Sequence, residues 1–199
     1  MLTDFSKKIK RTFDLVGAIL GILLTGWLMI IAWFIASIET KSNGLFIQKR
    51  IGKEGKPFFV YKIRTMKPIK GHTSTVTTRD DMRITKSGTF FRKTKIDELP
   101  QLFNVLFGTM SFVGPRPDVP GFADNLEGED RIILTLRPGI TGPASLKYKD
   151  EEILLAQQKD PESYNREVIW PDKVKINKEY IKEWTFKKDI EYLIQTIVG

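Results

Sequence analysis

The sequence predicts an α/β fold that is mostly helical, with a small β-hairpin and an apolar helix near the N-terminus. Three observations predict it. Leu15 to Ile38 is a run of 24 residues without a charge. Two short runs rich in β-branched and aromatic residues flank a Gly52-Lys53-Glu54-Gly55-Lys56 turn. Apolar residues recur at helical spacing over 99–107 and again over 174–197.

The uncharged run is long enough for a helix at membrane depth and longer than the apolar core of a signal peptide. Lys7, Lys8, Lys10 and Arg11 precede it, and Lys41, Lys49, Arg50, Lys53 and Lys56 follow. The positive-inside rule draws both flanks to the cytoplasm, which a straight span cannot satisfy. A re-entrant helix satisfies it, with Gly17, Gly21 and Thr25-Gly26 as places for a bend. The segment has no proline, so a re-entrant hairpin is permitted and not demanded. Residues 1–40 read as a membrane anchor and 41–199 as a cytoplasmic catalytic domain.

After the anchor, 44–52 and 57–66 read as the two strands of the hairpin, and Lys62 and Arg64 make one face of the second strand cationic. Residues 67–86 read as a polar loop. Ser87 is placed to cap a helix running to Ile96, with Phe90 and Phe91 facing inward. Leu99, Leu102, Phe103 and Leu106 give the next helix an apolar stripe, with Pro100 in its first turn, Gly108 as terminator and Asp97 at its N-cap. Residues 122–134, 150–168 and 174–196 read as helices. The last opposes apolar residues to lysines, and this amphipathic pattern fits a core-facing helix or one lying on a membrane surface.

Composition removes several kinds of chemistry. There is no cysteine, which excludes disulfides, thiolate nucleophiles and cysteine metal sites. The one histidine, His72, cannot by itself build a histidine-rich zinc site. The net charge of +8 is local: residues 39–100 carry fifteen Lys or Arg against six Asp or Glu, whereas 101–199 carry thirteen against sixteen. A basic surface beside a membrane segment fits anionic lipid or a polyphosphate substrate. No nucleic-acid-binding pattern accompanies it, so nucleic acid is not expected as a partner.

The chemistry concentrates between Lys95 and Pro117. Asp97 and Glu98 are adjacent carboxylates that can attract a hard divalent cation such as Mg²⁺, and an ionised carboxylate can attack phosphorus. The same dipeptide can equally be a helix cap and a first-turn glutamate. Lys62, Arg64, Arg92, Arg116 and Arg137 together offer what a diphosphate needs, since guanidinium groups grip phosphate oxygens bidentately. No P-loop or dinucleotide fingerprint is present.

Tyr61-Lys62-Ile63-Arg64-Thr65-Met66, Ile96-Asp97-Glu98-Leu99-Pro100-Gln101-Leu102-Phe103-Asn104-Val105-Leu106, Met110-Ser111-Phe112-Val113-Gly114-Pro115-Arg116-Pro117 and Arg137-Pro138-Gly139-Ile140-Thr141-Gly142 occur in that order. This set resembles the bacterial sugar transferases, the small monotopic polyprenol-phosphate phosphoglycosyl transferases, over about residues 8–145. The resemblance implies transfer of a sugar 1-phosphate from a UDP-sugar to a polyprenol phosphate, with release of UMP, at the cytoplasmic face of the bacterial inner membrane. It implies Mg²⁺ held with the help of Glu98, a covalent phosphosugar on Asp97, and phosphate or nucleotide contacts from Lys62, Arg92, Arg116 and Arg137. It also implies a re-entrant membrane helix, although the family's usual Ser-Pro break is replaced here by Thr25-Gly26-Trp27. A homodimer stays open. The rival reading is a noncatalytic anchor whose basic region binds anionic lipid or a partner protein.

Overall fold

The computed structural model describes residues 2–68 and 81–198. The elements run α1 (Asp4–Thr40), β1 (Leu45–Ile51), β2 (Pro57–Ile63), α2 (Lys86–Thr94), α3 (Gln101–Phe107), β3 (Ser111–Val113), β4 (Gly139–Thr141), α4 (Pro143–Lys147), α5 (Glu151–Ala156), α6 (Pro161–Tyr164), α7 (Trp170–Lys182) and α8 (Phe186–Val198). The mostly helical chain with a small hairpin is the fold class the sequence predicts. The polar loop expected over 67–86 falls largely on 69–80, which with His72 lie outside the described residues. At the loop's ends, Lys67 N donates to Arg83 O at 2.9 Å.

Helix α1 has 37 residues and runs through Thr25-Gly26 without interruption, about 55 Å at 1.5 Å per residue. Its buried residues, Lys10, Asp14, Ala18, Met29, Ala32, Ala36 and Thr40, form one stripe. The opposite face exposes Val16, Leu20, Leu23, Leu24, Trp27, Ile30 and Phe34. Gly17 and Gly21, which the sequence offers as bend points, are contact points instead. A Cβ on Gly17 would lie 2.7 Å from the Phe112 ring, and one on Gly21 would lie 3.0 Å from Leu102.

The stripe makes α1 part of the core rather than a tether. Ala18 packs with Val60, Val105 and Met110, and Ala32 and Ala36 pack with Ile63 and Phe91. At its N-terminal end Arg11 donates to the carbonyls of Val105 (2.6 Å) and Leu106 (2.9 Å). There, too, Asp14 Oδ1 accepts from Phe112 N at 3.0 Å and from Ser111 Oγ at 3.1 Å. At its C-terminal end Ser37 Oγ accepts from Gly44 N at 2.9 Å, and Glu39 accepts from Ser87. Both ends are therefore fastened to one body.

The hairpin β1–β2 is antiparallel, with Leu45 opposite Ile63 and Ile51 opposite Pro57. Helix α2 is capped by Thr85, whose Oγ1 accepts from Gly88 N at 2.9 Å, and not by Ser87, which is turned to Glu39. Phe91 is buried and Phe90 is 57% exposed, since adjacent residues point about 100° apart on a helix. The region read as a helix over 122–134 forms two 3₁₀ segments, Ala123–Asn125 and Gly128–Thr135. The span 150–168 divides into α5, α6 and a π turn at Asn165–Ile169. The helix expected over 174–196 is two helices, α7 and α8, because Thr185 Oγ1 accepts from Lys188 N at 3.2 Å and starts a new turn.

Two strands escape the sequence reading. β3 and β4 pair in parallel, Ser111 opposite Gly139 and Val113 opposite Thr141. Three residues each are too few to show alternation. Gly114 N donates to Thr141 O and Gly139 N to Pro115 O, each at 2.9 Å. The chains approach so closely that a Cβ on Gly139 would lie 2.2 Å from Gly114 N and one on Gly142 would lie 2.4 Å from Gly114 O. The glycines of the Arg137–Gly142 motif thus serve the Gly114-Pro115 turn.

Helix α8 closes the structure over the start of α1. Lys10 Nζ meets Asp189 Oδ2 at 2.6 Å, and Tyr180 OH and Trp184 Nε1 donate to the same carboxylate at 2.6 and 3.0 Å. Lys10 and Asp189 are both buried. Removing one partner of such a pair leaves an uncompensated charge. Lys10→Met should cost about 3–5 kcal/mol in denaturant unfolding. Adding Asp189→Asn should recover much of that loss, because Tyr180 and Trp184 keep an acceptor; equal instability of the single and double variants would rule this account out.

Candidate active site

Asp97 and Glu98 lie on a 3₁₀ turn, Ile96–Glu98, that leads into α3. Leu99 (φ −54°, ψ −37°) and Pro100 (φ −61°, ψ −16°) keep right-handed helical geometry, so the turn and the helix form one ramp. No side chain caps either segment. The expected N-cap role of Asp97 is therefore not the one it plays: its Oδ1 is buried without a hydrogen-bond partner. Only 8% of the residue is exposed.

The adjacent carboxylate is the opposite case. Glu98 Oε1 accepts from Lys62 Nζ at 2.8 Å and from Arg116 Nη2 at 2.7 Å. Burial works against its charge, but Arg116 and Lys62 override burial and hold Glu98 well below the usual carboxylate range. For Asp97, burial comes first and the Glu98 charge second, and together they push it up to about 6 against Lys62, Arg92 and Lys95. One carboxylate is thus a fixed anion that gathers cations, and the other is free and titrates near neutrality.

Three elements deliver these side chains. Lys62 comes from β2, and Arg116 from the turn after β3, where its Nη1 also reaches Ile140 O at 3.5 Å. Arg92 comes from the last turn of α2 and pairs with Glu152 on α5. Asn104 ties α3 to β2: its Nδ2 donates to Phe59 O at 2.7 Å and its Oδ1 accepts from Tyr61 N at 3.1 Å. That bond sets the level of Lys62 beside Glu98.

Two expected substrate residues are engaged elsewhere. Arg64 Nε donates to Asn43 O at 2.7 Å and its guanidinium lies over the Phe46 ring, where it closes the hairpin's open end. Arg137 Nε donates to Gly108 O at 2.7 Å, at the C-terminal end of α3, whereas Asp97 precedes its N-terminal end.

Asp118 was missed by sequence reasoning, although it directly follows the Gly114-Pro115-Arg116-Pro117 run. Burial pushes it up to about 6 against Lys173 and Arg50. Arg50 itself is lowered to about 10 by burial and by Arg116, and it holds Gln48 Oε1 and Pro117 O. Gln101 was passed over as well; it is 3% exposed and its Nε2 has no partner. The signal available was its position four residues after Asp97.

No group of three or more metal-ligating side chains gathers among the described residues. The donors that exist are two hard carboxylates, one with an unpartnered oxygen. That set suits Mg²⁺ shared with substrate phosphates and water rather than an all-protein cage.

Residues 5–199 match the bacterial sugar transferase family model. A UDP-N-acetylgalactosamine-undecaprenyl-phosphate N-acetylgalactosaminephosphotransferase of Aeromonas hydrophila is 38% identical over 144 residues, 70% of this chain and 34% of that protein. The UDP-glucose:undecaprenyl-phosphate glucose-1-phosphate transferase of Escherichia coli is 33% identical over 202 residues, 98% of this chain and 41% of that protein. An uncharacterized sugar transferase, EpsL, of Bacillus subtilis is 32% identical and matches 95% of this chain and 85% of its own length. The chain therefore spans about two-fifths or less of the first two relatives and most of the third.

The free carboxylate gives a pH test. If rate follows ionised Asp97, turnover should rise along an acid limb centred near pH 6. Lys62→Met, which removes a cation that lowers Asp97, should move that limb to higher pH. Asp118→Asn separates the second group that titrates there and should leave the limb in place. A limb unmoved by Lys62→Met, or abolished by Asp118→Asn, counts against the assignment. Because the folded-state value lies above the ordinary one, ionising Asp97 costs folded stability as pH rises from the usual carboxylate range through about 6.

Proposed function

Because this chain belongs to the bacterial sugar transferase family, we propose that it transfers a sugar 1-phosphate from a UDP-sugar to a polyprenol phosphate, giving a polyprenyl diphosphate sugar and UMP. The observation that carries the reading is Asp97: a buried carboxylate with an unpartnered oxygen, among the cations Lys62, Arg92 and Lys95.

In the first step Asp97 attacks the sugar-bearing phosphorus. A carboxylate–phosphorus bond forms, the bond from that phosphorus to the bridging oxygen breaks, and UMP leaves with the electron pair. In the second step the acceptor's phosphate attacks the phosphosugar and regenerates the carboxylate. Both steps need close approach of anions. Lys62 and Arg116, held by Glu98, and Arg92 supply the opposing charge. Bound Mg²⁺, held by Asp97 and Glu98 together with the diphosphate, would neutralise charge on the phosphate oxygens. Arg92 must exchange Glu152 for substrate to bind a phosphate directly.

The acceptor is lipid-borne, and α1 answers that need. Its two ends bond to one body while its exposed face is apolar. A helix threading a hydrocarbon core of about 30 Å would carry its ends to opposite sides. A re-entrant or interfacial placement keeps both at the cytoplasmic face of the inner membrane and leaves the apolar face in lipid. Helix α8 also exposes apolar residues, Ile194 and Ile197.

Incubation with a UDP-sugar and Mg²⁺ but no acceptor should yield a covalent phosphosugar on the protein and release UMP, and Asp97→Asn should abolish both. Normal turnover by Asp97→Asn would remove the nucleophile from this scheme, and absence of UMP from the wild-type protein across a panel of UDP-sugars with polyprenol phosphate would favour the noncatalytic anchor. For topology, the chain's lack of cysteine allows single reporters. Lys8→Cys and Ser42→Cys should both react with an impermeant maleimide in inside-out vesicles and neither in intact cells; labelling from opposite sides would establish a true span.

A further inference from the structure

Among the described residues, four buried side-chain atoms have no hydrogen-bond partner: Asp97 Oδ1, Gln101 Nε2, Ser145 Oγ and Asn177 Oδ1. Two of the four stand one helical turn apart. The 3₁₀ turn, Leu99, Pro100 and α3 keep right-handed geometry throughout, so Asp97 and Gln101 lie four residues apart on one ramp, within about 8 Å along its axis. One is an acceptor and the other a donor, and they make no hydrogen bond to each other.

The fold is able to satisfy a buried amide on this same helix. Asn104, 2% exposed, donates from Nδ2 to Phe59 O and Thr109 Oγ1 and accepts at Oδ1 from Tyr61 N. Gln101, 3% exposed, is given no such partner for its N–H groups. Burying a donor unpaired is costly, and in a native protein such a group is completed by water, an ion or a ligand.

We infer that the Gln101 side-chain amide is a catalytic hydrogen-bond donor to the phosphoryl group under attack by Asp97. This rests on the reading that Asp97 is the nucleophile. As the Asp97 oxygen bonds to phosphorus and UMP departs with the bridging oxygen and its electron pair, the amide N–H donates to a non-bridging phosphoryl oxygen and keeps its proton. Donor and nucleophile ride on one continuous ramp, and a donor held in place there needs no reorganisation when charge develops. Lys62 and Arg116, held by Glu98, supply charge to the same group; Gln101 supplies direction.

The test separates this role from packing. Gln101→Met keeps the unbranched shape and removes an unpaired amide, so a residue that only fills space predicts an unchanged or raised Tm with unchanged kinetics. The donor role predicts an unchanged or raised Tm together with kcat lower by about 10²–10³-fold, the usual loss for one such donor. KM for the UDP-sugar should stay within about threefold, and phosphosugar formation without acceptor should slow in parallel. Gln101→Glu, which keeps the shape and lacks the N–H, should lose kcat to a similar extent and guards against a misfolded first variant. A folded variant with kcat within about threefold of wild type, or with the loss confined to KM, overturns the inference. Failure of the wild-type protein to release UMP overturns the functional reading instead, so the two failures are distinguishable.

Discussion

Glu98 Oε1 takes one hydrogen bond from Lys62 on β2 and another from Arg116 on the turn after β3, and the geometry of the centre follows from that shared acceptor. Two cations on separate elements have no reason to approach one another unless an anion compensates both. Partial burial raises the cost of leaving Glu98 or Lys62 unpaired. The ion triad therefore fixes the hairpin, the 3₁₀ ramp and the Gly114-Pro115 turn at one point. Asp97, one residue earlier, is left buried beside that point with an oxygen nothing occupies.

The rest of the fold can be read as support for this arrangement. Asn104 sets the height of β2 against α3, and the parallel pairing of β3 with β4 aims the turn that carries Arg116. Helix α1 contributes a stripe of small residues against which α3, β2 and α2 pack. Its exposed apolar side and its core-facing side are two faces of one helix. The candidate site and the apolar surface are thereby held at a fixed relation, which is what the proposed transfer from a water-soluble donor to a lipid-borne acceptor requires.

Much of this was legible in residue order. The hairpin, the apolar α3, its glycine terminator and the carboxylate pair follow from local pattern, because each depends on neighbours within a turn or a strand. The departures share one cause. Ser87 looked like a cap, but Glu39, 48 positions away, takes its hydroxyl. Gly17 and Gly21 looked like hinges, yet they are where Phe112 and Leu102 approach. In both cases a partner distant in sequence outbid the local reading. Arg64 and Arg137, read as anion ligands, also donate to the backbone carbonyls of Asn43 and Gly108.

By itself the sequence determined the hairpin, the main helices, the apolar segment with basic flanks and the residue types of the centre. These are set by periodicity, charge and motif order, which need no third dimension. Tertiary structure alone decided which of two adjacent carboxylates is free. Asp97 and Glu98 carry the same charge on the same turn; only the arrival of Lys62 and Arg116 at Glu98, and of no donor at Asp97 Oδ1, makes one an anchor and the other the candidate nucleophile. Hydrogen bonding and burial are properties of distance, and distance between remote residues is set by packing.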